Sequence, residues 1–213
     1  MNRFSCNGQF GQDFFVASIM KKKPNGFFVD IGCGISSLDI NHVPIFAMSN
    51  TFLLEKALSW NGIALDYDEE YCEKAQKFRS SVTCVDLMEA NINDVLAERN
   101  CPEHFDYLSL DVDQAQRKVL DELDFEKYSF KILTYEHNYS TKDNPHLRDL
   151  YLGDREYSRE KFSSLGYKIL FGNVGLNPKE MIEDWWVNEE MFDEWGHLAM
   201  ENTTLHDIME RLL

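Results

Sequence analysis

Apolar and polar residues alternate between two periods along this chain. Short apolar runs of strand length occupy residues 26–31, 62–65, 82–85, 105–110, 130–135, 167–171 and 184–187. Between them lie segments whose apolar positions recur at helical spacing. Residues 12–22 place Phe15, Ile19 and Met20 on one face, and the helix after Asn50 or Thr51 places Leu53, Leu54, Ala57 and Leu58 on one. Further helices are predicted over 69–79, 92–98, 115–123 and 154–165, and the acidic stretch 189–213 is read as helical in part. Strands alternating with helices at this spacing predict an α/β fold, a mostly parallel seven-stranded sheet with helices on both faces. The pair 167–171 and 184–187 is expected as an antiparallel addition at the sheet edge. One domain is expected over 1–213, with a helical lead (1–24) and a helical tail (189–213). Two irregular loops, 36–49 and 139–153, would form the variable part.

The first strand ends in Phe27-Phe-Val-Asp-Ile-Gly-Cys-Gly. Glycines one residue apart after a buried strand make a tight turn that lets a ligand approach the backbone. A pyrophosphate site would want a third glycine, but Ser37 stands there, and Asp30 would repel phosphate. An acid beside a Gly-rich turn suits a ligand with an ammonium and a sulfonium. That chemistry is S-adenosylmethionine rather than a dinucleotide.

Five successive strands end in an acid: Asp30, Asp66, Asp86, Asp111 and Glu136. In a parallel sheet these line the edge where ligands bind. Asp30 is expected to accept from the turn amides and to hold the methionyl ammonium, directly or through water. Asp66 is expected to chelate the ribose hydroxyls, since Asp68 can fill the adjacent helix cap. Asp86 would accept from the adenine amino group. Asp111 and Glu136-His-Asn fall where the transferred group would point. A hydroxyl acceptor must lose its proton, and His137, with a reference pKa of ~6.5, is the natural base. Asp111 would orient the acceptor or act as base itself. An oxygen-ligand metal on Asp111, Glu136 and Asn138 is the less favoured reading, and no metal is assigned. The tryptophans of Asp184-Trp-Trp, and Trp195, are read as core or lid residues, with sugar stacking the sharper alternative.

Charge narrows the partners. With 21 Lys and Arg against 37 Asp and Glu, the formal charge is −16, a field that repels nucleic acid. The one basic run, Lys21-Lys-Lys, is read as a solvated helix end. Five cysteines without a C-x-x-C pair read as reduced thiols of a cytoplasmic protein. No apolar leader and no run near ~18 apolar residues point away from a membrane.

The ordered series Gly26-Phe-Phe-Val-Asp-Ile-Gly-Cys-Gly, Ser49-Asn-Thr-Phe-Leu-Leu-Glu-Lys, Trp60-Asn-Gly-Ile-Ala-Leu-Asp, Phe105-Asp-Tyr-Leu-Ser-Leu-Asp-Val-Asp, Tyr135-Glu-His-Asn and Glu183-Asp-Trp-Trp-Val resembles the FkbM-type methyltransferases, over roughly residues 9–188. The resemblance implies a class I, Rossmann-like methyltransferase fold with S-adenosylmethionine as donor. It also implies O-methylation of a sugar, glycan or secondary metabolite. It carries Asp30, Gly32 and Gly34 to the donor loop, Asn50 to the donor-side helix, Asp66 to the ribose and Asp111 to the acid after the fourth strand. The chain departs from the family pattern in the extra residues 38–48 and at Asp113-Gln-Ala-Gln, where Glu-Gly-x-Glu is common. Competing readings are a non-catalytic donor-binding module, kept open by those glutamines, and a nicotinamide-dependent oxidoreductase, disfavoured by Ser37 and by the lack of a Tyr-x-x-x-Lys pair. A nucleic-acid methyltransferase is disfavoured by charge and by the lack of an Asn-Pro-Pro-Tyr-type motif. The acceptor is expected to be a small molecule or glycan, with the edge strands and the tryptophans as a candidate homodimer surface.

Overall fold

The structure is a computed structural model describing residues 6–34, 48–112, 115–140, 148–177, 179 and 181–213. It divides into two compact units, Met1–Ser129 and Phe130–Leu213.

The first unit runs α1 (Gln12–Ile19), β1 (Phe27–Ile31), α2 (Phe52–Leu58), β2 (Asn61–Asp66), α3 (Glu69–Ala75), β3 (Val82–Cys84), α4 (Ile92–Glu98), β4 (His104–Leu110) and α5 (Gln116–Glu122). Its strands lie in the order β3-β2-β1-β4, every pairing parallel. Strand order therefore reverses beside β1, which leaves a crevice at the carboxyl ends of β1 and β4. β1 and β4 are buried along nearly their whole length, which is why both read as apolar runs rather than alternating ones.

Local chemistry sets the helix starts. Asp68 caps α3 by accepting from the Tyr71 amide at 2.9 Å, with Glu69 and Glu70 in the first turn. Asn91 caps α4. At α2 the expected cap differs: Thr51 stands at the cap position but makes no cap bond, and the Ser49 hydroxyl accepts from the Thr51 and Phe52 amides instead. α1 stops three residues short of its predicted end because Lys21 and Lys22 turn left-handed, at φ 51° and 55°. Lys23 then grips both oxygens of Asp106 at 2.8 and 2.9 Å.

The second unit holds most of β5 (Ser129–Glu136), then α6 (Arg148–Ser164), β6 (Lys168–Gly175), β7 (Met181–Val187), α7 (Glu189–Trp195), a 3-10 turn at Gly196–Leu198, β8 (Met200–Glu201) and α8 (Leu205–Leu212). Its strands run β5-β7-β6-β8, antiparallel at β5/β7 and β7/β6 and parallel at β6/β8. One expectation is corrected here. The described strands number eight rather than seven, since the two-residue β8 carries too little pattern to be read from sequence. The expected antiparallel pair is present as β6 and β7, added beyond β5 with β7 next to it.

Trp185 and Trp186 are fully buried, so neither offers a dimer surface nor a sugar platform. Trp186 packs on Phe162 with ring centroids 5.3 Å apart, and Phe162 on Tyr135 at 5.6 Å. Burying a side chain such as Phe162 contributes roughly 1.5–3 kcal/mol. Among the described residues no helix is long and apolar enough to cross a membrane.

Candidate active site

Three strand ends of the first unit are laced together by the glycine turn. The Gly32 and Cys33 amides both donate to the Leu65 carbonyl, at 2.9 and 3.0 Å, and the Asp111 amide donates to Ile31 at 2.9 Å. Gly32 adopts φ +85°, and a Cβ there would stand 1.6 Å from the Asp111 carbonyl oxygen. Only glycine fits between β1 and β4 at this point. The Gly34 amide donates to Asp66 Oδ2 at 2.8 Å, and a Cβ on Gly34 would lie 2.4 Å from the same oxygen. The turn amides are thus held by Leu65 and Asp66, not by Asp30 as the sequence suggested.

Asp30 instead turns to the helix that follows. Its Oδ2 accepts from the Thr51 hydroxyl. Thr51 Oγ1 in turn accepts from Arg79 Nη2 at 2.7 Å, while Arg79 Nη1 reaches the Ser49 hydroxyl at 2.9 Å and Nε reaches Glu55 at 2.9 Å. Ser81 also donates to Glu55, at 2.7 Å. Burial raises the Asp30 pKa to about 6, with Arg79 and the Thr51 and Ser109 hydroxyls pulling the other way. The Arg79 guanidinium, 2% exposed, lies 5.8 Å from the Phe28 ring centroid and 5.9 Å from that of Phe52. Arg79, Thr51, Ser49 and Glu55 were missed in the sequence because no local pattern ties α3 to the residues before α2.

Asp66 is half-buried, and burial raises its pKa. Oδ2 takes the Gly34 amide and Oδ1 the Asp68 amide at 2.9 Å. The Tyr67 amide is also a hydrogen-bond donor to this carboxylate, so Asp66 is an acceptor held in place by its own turn. Its alternative reading as a helix cap is filled by Asp68. Asp86 is exposed and shapes a turn: Oδ1 accepts the Met88 amide at 2.8 Å, and its carbonyl accepts from Glu89 and Ala90. Tyr67 and Met88, 75% and 51% exposed, flank these two acids in sequence and present flat or soft apolar faces. Exposed apolar residues beside strand-end acids were the signal available for them.

Asp111 belongs to this first unit and is half-buried. Glu136 and His137 belong to the second. Glu136 is half-buried at the end of β5, in register with Glu183 of β7. His137 is fully buried. Its Nδ1 accepts the Tyr139 amide at 3.1 Å, and Nε2 lies 3.5 Å from Asp184 Oδ1. The amide fixes the proton on Nε2, so neither nitrogen offers a lone pair to a substrate. The described contacts thus show His137 as a fully buried side chain lying between the Tyr139 amide and Asp184.

Asp184 is held by Arg159 through both oxygens at 2.7 Å, and by the Asn173 amide at 2.7 Å. These partners keep its carboxyl far below the usual range despite burial. Arg159 also reaches Glu201 at 3.1 Å. Asn138 follows at φ +52°, and the His137 and Asn138 amides both donate to Ile182. Among the described residues no three His, Cys, Asp or Glu side chains are placed to hold a metal. The loop positions 36–47 and 141–147, Ser37 and the Asp113-Gln114 pair lie outside the described residues.

S-adenosylmethionine fits the first unit by its chemistry. Asn50 Nδ2 donates to Ser109 at 3.0 Å, and among the described residues Asn50 Oδ1 and Asp30 Oδ1 are buried acceptors with no hydrogen-bond donor. Such orphans are costly unless a ligand supplies N–H donors. A methionyl ammonium would supply such donors, and the Asp66 carboxylate would be an acceptor for ribose hydroxyls.

The comparisons agree in kind. A profile described as the methyltransferase FkbM domain matches residues 34–169, nearly two thirds of the chain. No curated protein matches in sequence. Among solved structures, a TehB-like SAM-dependent methyltransferase from Corynebacterium glutamicum is 11% identical at TM-score 0.45, covering 82% of this chain and 87% of that one. A dimethyladenosine transferase from Plasmodium falciparum is 17% identical at 0.47, covering 92% and 69%. A fibrillarin from Aeropyrum pernix with natively bound S-adenosyl-L-methionine is 12% identical at 0.45, covering 83% and 76%. None of the three reaches a TM-score of 0.5, and the family assignment stands on the sequence match. The chain belongs to the FkbM methyltransferase family, and its cofactor is S-adenosylmethionine.

Proposed function

We propose that this protein methylates a hydroxyl oxygen of a small molecule or glycan, a sugar foremost. The observation that carries the reading is the packing of Gly32 against the Asp111 carbonyl, which sets the acid after β4 directly beside the donor turn. The cofactor supplies an electrophilic methyl on a sulfonium, which becomes a thioether as the methyl leaves. The chain's part is alignment and proton removal. Asp66 and the glycine turn hold the ribose end. Asn50 and Asp30, braced by Ser109, Thr51 and Arg79, accept at the ammonium end. Asp111 takes the proton of the acceptor hydroxyl. The net charge of −16 favours neutral or cationic acceptors over polyphosphates.

The test is calorimetric titration with S-adenosylhomocysteine, with NAD as control, followed by a screen of sugars for release of S-adenosylhomocysteine. Micromolar binding of S-adenosylhomocysteine but not of NAD, and turnover of one acceptor that Asp111→Asn abolishes, supports the reading. Binding with no turnover on any hydroxyl compound favours a non-catalytic module, and binding of NAD overturns the donor site.

A further inference from the structure

We infer that Cys72 and Cys84 form a peroxide-sensitive dithiol whose closure to a disulfide weakens binding of the methyl donor. The effect rests on the donor-site reading above. Cys84 ends β3 and pairs in register with Asp66, while Cys72 sits on α3. Their sulfurs donate to consecutive carbonyls, Cys72 to Asp66 at 3.6 Å and Cys84 to Tyr67 at 3.7 Å. The two thiols also lie within hydrogen-bonding reach of each other. Cys84 is exposed and Cys72 buried, so an oxidant meets Cys84 first and finds a second sulfur behind it.

The chemistry is balanced with hydrogen peroxide as oxidant. The Cys84 thiolate attacks the O–O bond, becoming a sulfenic acid as hydroxide leaves and is protonated to water. The Cys72 sulfur then attacks the sulfenic sulfur, losing its proton and expelling a second water as the S–S bond forms. Two thiols lose two electrons and one peroxide becomes two waters. Burial and the neighbouring thiol raise the Cys72 pKa, which makes that sulfur the less reactive of the two toward peroxide. Cys33, also buried, is shielded from the oxidant.

Closure removes both S–H donors from the Asp66 and Tyr67 carbonyls. The Asp66 carbonyl also receives the Val85 amide at 2.8 Å, and the Asp66 carboxylate holds Gly34 and Asp68. Strain on this strand end therefore reaches the ribose acid and the glycine turn together.

The experiment treats the full chain with stoichiometric hydrogen peroxide, alkylates remaining thiols, maps peptides, and titrates S-adenosylhomocysteine before and after. The expected result is a Cys72–Cys84 crosslinked peptide and a loss of about fivefold or more in affinity, reversed by dithiothreitol. Cys84→Ser, which keeps a hydroxyl donor, should give no such peptide and an affinity that peroxide leaves unchanged. A crosslink with unaltered affinity, over-oxidation of Cys84 without a crosslink, or an equal loss in Cys84→Ser would each overturn the inference. Failure of the reduced protein to bind overturns the donor reading and this consequence with it, and the peptide map separates that failure from failure of the dithiol to close.

Discussion

A single hydroxyl joins Asp30 to Arg79: Thr51 Oγ1 donates to the carboxylate and accepts from Arg79 Nη2 at 2.7 Å. Asp30 and Arg79 are both buried, so each charge depends on the other through Thr51. This arrangement anchors β1, the start of α2 and the end of α3 beneath the glycine turn. It makes Asp30 a brace for the donor loop as well as a candidate ligand.

Arg79→Met leaves Asp30 and Glu55 without their shared cation. Breaking a buried pair from one side costs about 3–5 kcal/mol, read as a lowered urea midpoint. Adding Asp30→Asn should recover a large part of that loss. Equal stability of Arg79→Met and the unaltered chain would show that the charges are not coupled.

Asp66→Ala removes the ribose acceptor and the Gly34 anchor at once. S-adenosylhomocysteine affinity should fall at least about tenfold, since hydrogen bonds to charged groups contribute about 1.5–3 kcal/mol each. Tyr67→Ala should weaken binding by a smaller factor if its exposed ring stacks on the adenine. Calorimetry on both variants tests the order, and a larger effect at Tyr67 would reassign the anchoring group.

His137→Ala should act first on stability. It opens a cavity in a fully buried site and strips Asp184 of one neighbour, costing about 2–4 kcal/mol. Arg159→Met, which exposes the Asp184 charge to burial without its main partner, should cost as much or more. Thermal unfolding of both variants is the measurement. A His137→Ala chain with wild-type melting and lost turnover would restore the base assignment.

Asp13 gives a pH signature. It is buried, accepts the Asn7, Gly8 and Phe14 amides, and has its pKa raised by burial from 3.8 to about 6. A raised carboxyl binds its proton more tightly in the folded state, so its contribution to stability is largest below 3.8 and is lost as pH rises through about 6. Wild-type melting temperature minus that of Asp13→Asn should therefore fall between about pH 4 and pH 6 and level off above. A difference that rises across that window would contradict the sign.

Much of the frame was legible because its causes are local. The apolar run into Gly32 and Gly34, the Asp68 cap, and the acids closing β1 to β5 are written in short windows. That Asp68 rather than Asp66 caps α3 was legible for the same reason, since the two acids stand two residues apart at the helix start. Gly32 was readable as a turn glycine, but its packing on Asp111 was not, because those residues are far apart in the chain. The burial of His137 was not readable for a related reason. A histidine after a strand end looks open to a substrate until Asp184 and the Tyr139 amide are seen packed against it.

What the sequence determined by itself is the alternation of strands and helices, the family and the donor, all carried by periodicity and contiguous motifs. Tertiary structure decided the rest: where Asp30 points, which face buries Trp185 and Trp186, where β7 inserts, and which thiols meet. Those outcomes depend on pairings between distant segments, where a side chain's partner is chosen by packing and desolvation rather than by its neighbours in sequence.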